Sequence, residues 1–300
     1  MHDWDVTHAQ VPVVDTLDQK ILRIYYASRD SEGRSNASFI EVESTNPSKI
    51  IYKHDRPILT LGKLGSFDES GIMPTCIIQM NHKKYLYYIG WSIRKTVPYQ
   101  NSIGLAISVD DGLSFEKFSE GPIVGVNSTD PYFVGTFYVL KEHDLLRGYY
   151  LSCTGWEMHN GKPEPLYVLK YAESYDGINW NRDGKVVVNF SNSNEGGLVS
   201  ASVIKELHSY RMWFGRRNKS DYRQNIINSY RLGYAESVDG VVWTRKDSLV
   251  GIDVSPSGWD SEMISYPYVV KINNQLVMFY NGNGFGRTGF GHAILINDNE

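Results

Sequence analysis

Short apolar runs with a proline or small residue near the middle alternate with aromatic-rich runs about a dozen residues further on, and the pairing recurs along the whole chain. The first members are VPVV at 11–14, MPTCII at 73–78, GTFYVL at 135–140, SASVI at 200–204 and YPYVV at 266–270. Their partners are IYYAS at 24–28, YLYYIG at 85–90, GYYLS at 148–152, RMWFG at 211–215 and VMFYNG at 277–282. With Pro12, Pro74, Phe137, Ala201 and Pro267 as equivalent points, the successive intervals are 62, 63, 64 and 66 residues. A third element follows each pair and is clearest as IGLAISVDDGLSF at 103–115, YVLKYAESYDGINW at 167–180 and YRLGYAESVDGVVW at 230–243. Each alternates, turns at Asp/Gly and restarts on an aromatic residue, which is a strand–turn–strand signal. Two hairpins per unit make a four-stranded antiparallel sheet, and radial repetition of such sheets is a propeller. The pattern therefore predicts an all-β, five-bladed β-propeller with four-stranded blades, occupying residues 1–300 as one domain, with a site at the central axis. No segment carries helical apolar periodicity at helical length.

The outermost copies are weaker. The first has SFIEVES at 38–44 as its third strand, and the last ends on GFGHAILIND at 289–298 with little room for a fourth. Closure is then short, incomplete, or dependent on native residues missing before Met1; the sequence leaves the three open.

Composition narrows the ligand class more than the fold. The 300 residues are 41% hydrophobic and 21% charged, as in a globular protein, with a net charge of −4. That balance offers no footprint for nucleic acid, and no run of 18 apolar residues predicts membrane insertion. The 21 tyrosines and 7 tryptophans suit strands and also provide faces that stack on sugar rings. Cys76 and Cys153 sit in apolar runs without metal-ligand spacing and are read as small buried hydrophobes. No motif calls for a metal or cofactor. Without a basic segment leading into an apolar one at the start, the expectation is a cytoplasmic protein.

Inner strands of a propeller converge, so polar residues at their leading ends are candidates for one shared pocket. Counting back from the equivalent points, the first such residues are His8, Glu69, Asp130, Glu195 and Glu262. Glycoside cleavage needs one protonated and one ionised carboxyl group, and acids gathered at low dielectric raise one another's pKa. The reading is a carboxylate pool of Asp130, Glu195, Glu69 and Glu262, with Asp130 as base or nucleophile and Glu195 as acid. A second ring, where the aromatic strands end, holds Arg29, Trp91, Trp156, Arg216 and Asn281. Its arginines suit a carboxylate or phosphate and its tryptophans a sugar face. With His8 these are the expected substrate-binding residues. Asp110, Asp176 and Asp239 are read as turn caps, with Phe115, Trp180 and Trp243 packing between blades.

The segments THAQVP at 7–12, FDESGIMPTCI at 67–77 and YLYYIGW at 85–91 carry a family resemblance, as do the two YAESxDGxxW units, WDSEMISYPYV from 259 and FYNGNGFGRTGFG from 279. Across essentially its whole length the chain resembles the five-bladed propeller glycosidases of glycoside hydrolase families 43, 32 and 130. It is most similar to a bacterial branch found among surface-polysaccharide genes. The resemblance implies a base or nucleophile in the first blade, a pKa-tuning helper in the second and a glutamic acid in the third. Here the first blade presents His8, with Asp3 and Asp5 as its nearest acids, and Asp130 stands where that glutamate is expected. The function expected is cleavage or transfer of a glycosyl unit from an acidic, phosphorylated or nucleotide-linked sugar. A carbohydrate-recognition propeller without catalysis is the alternative.

Overall fold

A computed structural model describes residues 2–296. The strands make antiparallel units in chain order, which hydrogen bonding joins into two eight-stranded sheets and one of three strands, with a parallel pairing of Ser35 with Gly71 and another of Tyr167 with Gly197 linking the units within the larger sheets. The first unit contains β1 (Thr7–Thr16), β2 (Ile21–Arg29), β3 (Ser35–Glu43) and β4 (Asn46–Lys53). The second contains β5 (Gly71–Met80), β6 (Lys83–Ile93), β7 (Tyr99–Ser108) and β8 (Glu116–Lys117). The third contains β9 (Val134–Glu142), β10 (Leu145–His159), β11 (Lys162–Ser174) and β12 (Val186–Val188). The fourth contains β13 (Glu195–Lys205), β14 (Tyr210–Asn218), β15 (Arg231–Ser237) and β16 (Thr244–Arg245). The last has three strands among the described residues, β17 (Ser265–Ile272), β18 (Gln275–Asn281) and β19 (Phe290–Ile294). Among the described residues, helix is confined to single turns at Asp247–Leu249 and Asn283–Gly286, so the all-β expectation is met.

The leading strands touch in a closed cycle, β1 to β5 to β9 to β13 to β17 and back to β1. Where they diverge, side chains bridge the gap. Thr75 and Thr136 accept from the backbone N–H groups of Phe137 and Ser200, and Ser202 accepts from that of Val269. Between the last unit and the first the bridge is Asn281, which accepts from Val11 N–H at 2.7 Å and donates to the carbonyl of Ala9. The apolar core lies mainly between neighbouring sheets, with clusters such as Tyr87, Phe137 and Tyr150, or Tyr149, Leu198 and Phe214.

The Asp/Gly turns fasten the second, third and fourth units each to the one before. Tyr25, Tyr87 and Tyr149 donate their hydroxyls to the carbonyls of Gly112, Gly177 and Gly240. Gly112 has φ +82°, and a Cβ there would lie 2.1 Å from the Tyr25 hydroxyl, so the contact requires glycine twice over. Asp176 and Asp239 accept from the backbone N–H groups after them and are held at a pKa of about 2 by hydrogen bonding that outweighs the little burial they have. Trp180 packs edge-on to Phe137, and Trp243 edge-on to Tyr149.

Candidate functional site

Each leading strand carries a bulge, at Val11–Pro12, Thr75, Thr136, Ser200–Ala201 and Tyr266–Pro267, and the first and fourth of these strands carry a second register shift nearer their leading ends, between Thr7 and Gln10 and between Glu195 and Gly197. Such bulges bend a strand and re-aim its side chains. Val11, Ser200 and Tyr266 adopt φ of 56°, 53° and 54°, and His8 adopts 67°. This left-handed region is costly for a β-branched valine, and strain of this kind collects where a site has to be shaped. The bulges surround a cavity of about 390 Å3, to which Val11, Met73, Thr136, Val199 and Tyr266 each contribute from a different unit.

Aromatic rings and cationic side chains form the walls. Trp91, Tyr99, Phe133, Tyr167, Tyr222 and Tyr230 line the cavity with Phe285. Arg29, Arg223 and His8 share it. Arg29 makes one long bond, 3.4 Å to Gln10 Oε1, and has no carboxylate partner among the described residues. Burial, together with the neighbouring Arg223, lowers its pKa. Arg223 donates to the Tyr222 hydroxyl at 2.6 Å and reaches Glu164 only at 3.4 Å. Burial, then Arg29 and Arg287, depress His8 to a pKa of about 4, so its ring is neutral at neutral pH. Beside the cavity, Arg217 is 2% exposed and stacks on the rings of Tyr222 and Tyr167 at 3.9 and 4.7 Å. Among the described residues, no aspartate or glutamate lines this cavity.

The expected residues separate into two groups. His8, Arg29 and Trp91 come together on the cavity, and Trp156 stands one layer behind, against Tyr99 and Phe133. The four acids do not meet there. Asp130 is fully buried and saturated by Lys170, Arg182, Tyr150 and Ser152. Glu195 is locked to Arg245 by bonds of 2.6 and 3.0 Å and accepts from Ser191 N–H. Glu69 accepts from Gly65 N–H within its own loop, while Glu262 is exposed. The placement of Asp130 follows a recurring contact in which a buried acid before a leading strand accepts from the tyrosine hydroxyl of the second strand. Asp68–Tyr88, Asp130–Tyr150 and Asp260–Tyr280 repeat this contact. Arg216 also points elsewhere, toward the Leu232 carbonyl and Asp247. Asn281 is fully buried in the bridge between the last and first units, so its amide is already engaged.

Sequence reasoning missed Tyr167, Tyr222, Arg223, Tyr230 and Tyr266. Arg223 and Tyr222 come from the loop between β14 and β15, which has no counterpart in the repeat. Tyr266 is visible in the sequence as the residue before the bulge proline in YPYVV.

No protein-family model matches the chain. Uncharacterized protein MT1551 of Mycobacterium tuberculosis (strain CDC 1551 / Oshkosh) is 37% identical over 295 residues, covering 98% of this chain and 95% of that protein. Among solved structures, a thermostable family-43 glycoside hydrolase superposes with a TM-score of 0.70 at 16% identity, over 99% of this chain and 92% of its own. An exo-1,5-alpha-L-arabinanase from a bovine ruminal metagenomic library gives 0.65 at 10% identity, over 100% of this chain and 97% of its own. The resemblance to propeller glycosidases holds at the level of the fold.

Proposed function

Because this chain belongs to the family of the mycobacterial protein MT1551 and shares the fold of propeller glycoside hydrolases, we propose that it is a glycosidase-like protein whose axial cavity takes an anionic sugar. We read the five units as blades of one propeller, four of them four-stranded, with the ligand held where their leading strands converge. The observation that carries the reading is an aromatic-walled cavity holding Arg29 and Arg223, with Arg29 lacking a carboxylate partner and no acid in the lining. A cationic donor without a counter-ion, as Arg29 is, attracts a carboxylate or phosphate, and flat rings take the apolar face of a pyranose. Acid–base chemistry by paired carboxylates draws no support from this geometry, since Asp130 and Glu195 are consumed by buried ion pairs.

Calorimetric titration with uronic-acid oligosaccharides and sugar phosphates, each beside its neutral counterpart, tests the proposal. The anionic members are expected to bind more tightly, with affinity falling as salt rises. Arg29→Ala is expected to weaken binding about 10- to 100-fold, the range of a charge-assisted hydrogen bond. Equal binding of neutral and anionic sugars, unchanged in that variant, rules the proposal out.

A further inference from the structure

Arg217 is an exception among the deeply buried cations of the described residues. Arg23, Lys84, Lys170 and Arg245 are buried or nearly so, and each is paired with a carboxylate. Arg217 is as deeply buried, yet its donors go to the Tyr167 hydroxyl at 3.0 Å and to the carbonyls of Pro165 and Asn218 at 2.6 and 2.8 Å. No carboxylate pairs with it among the described residues. A buried cation without a counter-ion is costly, and the one group in hydrogen-bond contact able to become an anion is the phenol of Tyr167. That phenol is also in hydrogen-bond contact with the hydroxyl of Tyr230, and both rings line the cavity. Burial and the neighbouring Tyr167 hold the Tyr230 phenol well above its ordinary pKa, so Tyr230 keeps its proton. Two touching phenols, one facing a fixed guanidinium and one favouring its proton, form a base and an acid in a site that contains neither Asp nor Glu.

We propose that the cavity cleaves uronate-containing saccharides by β-elimination, with Tyr167 as base and Tyr230 as acid. This rests on the reading that the cavity takes an anionic sugar. Arg29 and Arg223 would pair with the substrate carboxylate, which acidifies the carbon-bound proton beside it by stabilising the charge that develops on proton loss. The Tyr167 phenolate takes the C5 proton, the freed electron pair forms the C4=C5 double bond, and the C4–O bond breaks. The departing oxygen takes the proton of Tyr230. A proton then passes from Tyr167 to Tyr230 across their shared hydrogen bond, restoring both groups. No water or co-reactant is consumed. Arg217 is a positioning residue: its guanidinium donates to the Tyr167 oxygen and fixes it beside the Tyr230 hydroxyl.

The full chain is incubated with oligosaccharides of glucuronate, galacturonate or mannuronate. Ultraviolet absorbance of the conjugated product and its mass are recorded beside calorimetric binding. A product with a new double bond and no added water is expected. Tyr167→Phe keeps the ring and its stacking, and is expected to lose at least about a hundredfold in turnover while binding stays within severalfold. Arg217→Lys, checked for folding by its melting curve, is expected to lower kcat while KM stays within severalfold. Tight binding without unsaturated product from pH 6 to pH 10, a range centred ~2 units below the ordinary tyrosine pKa, overturns the elimination and leaves the binding proposal standing. Products that have gained water also overturn it. Failure of every uronate to bind removes both.

Discussion

His8 is the residue where position and chemistry are most tightly joined. It lines the cavity at a φ of 67°, within the register shift between Thr7 and Gln10, and burial, aided by the cationic surroundings that suit an anionic ligand, keeps its ring uncharged. The folded pKa of about 4 lies below the ordinary 6.5, so the unfolded chain binds a proton first as pH falls. The stabilisation from His8 is therefore complete above about 6.5 and is lost progressively on the way down to about 4. His8→Gln is expected to flatten this part of the stability-versus-pH curve, and the His8 ring proton shifts should titrate near 4 in the free protein. Binding an anion beside the ring should raise that midpoint; a free-state midpoint near 6.5 contradicts the environment described here. The acids show what a sequence leaves open at this scale. A carboxylate five to seven residues before the equivalent point of an inner strand reads equally well as a group facing the axis or as one wedged between sheets. The difference lies in partners distant in sequence, Lys170 and Arg182 for Asp130 and Arg245 for Glu195. One signal was present: Asp68, Asp130 and Asp260 each precede a tyrosine by 20 residues, and all three pairs are hydrogen-bonded.

Strands were the most legible elements, because alternation and β-branched or aromatic content mark them locally. The prolines and small residues chosen as equivalent points also coincide with bulges, or lie one position from them. Proline lacks an N–H for the ladder, and a bulge is where a strand interior tolerates that loss. Less legible was how neighbouring elements satisfy the backbone groups that diverging strands leave unpaired. Thr136 does this for Ser200 N–H at 3.0 Å, and Thr75 for Phe137 N–H at 2.7 Å. Thr136→Val or Thr75→Val preserves shape and leaves a buried donor without a partner, at about 1–3 kcal/mol. Urea titration should show each variant with a lower midpoint and an unchanged slope, and the serine substitutions should recover most of the loss. Midpoints equal to the parent's would mean that these hydroxyls do not hold the leading strands together. Thr136 also lines the cavity, so its valine variant should weaken ligand binding more than the Thr75 variant does.

At the scale of the whole molecule, a ring of sheets must join its last unit to its first, and the joint sets the cavity's shape. Among the described residues β1 forms no ladder with β17, β18 or β19, although it packs against all three. Asn281 takes the place of a ladder there: one side chain accepts from Val11 N–H and donates to the carbonyls of Ala9 at 2.9 Å and Gly289 at 3.3 Å. The same contact holds Val11 in its left-handed conformation and so fixes the bulge beside Arg29 and His8. The repeat signals five units, but a joint made by one amide has no period and no motif, and Asn281 reads as a ligand group in the sequence because it sits at the end of an aromatic strand. Replacing it with leucine keeps the bulk and removes all three bonds, leaving Val11 N–H and the Ala9 carbonyl unsatisfied, which should cost about 2–5 kcal/mol. If closure is cooperative, Asn281→Leu should unfold in one transition at a lower denaturant concentration, and hydrogen exchange should quicken in β1 and β17 together. A second transition confined to β17–β19 would show instead that the last unit is an independent flap. Ligand affinity should fall in the same variant although Asn281 never touches the cavity, because Val11 relaxes once its partner is gone.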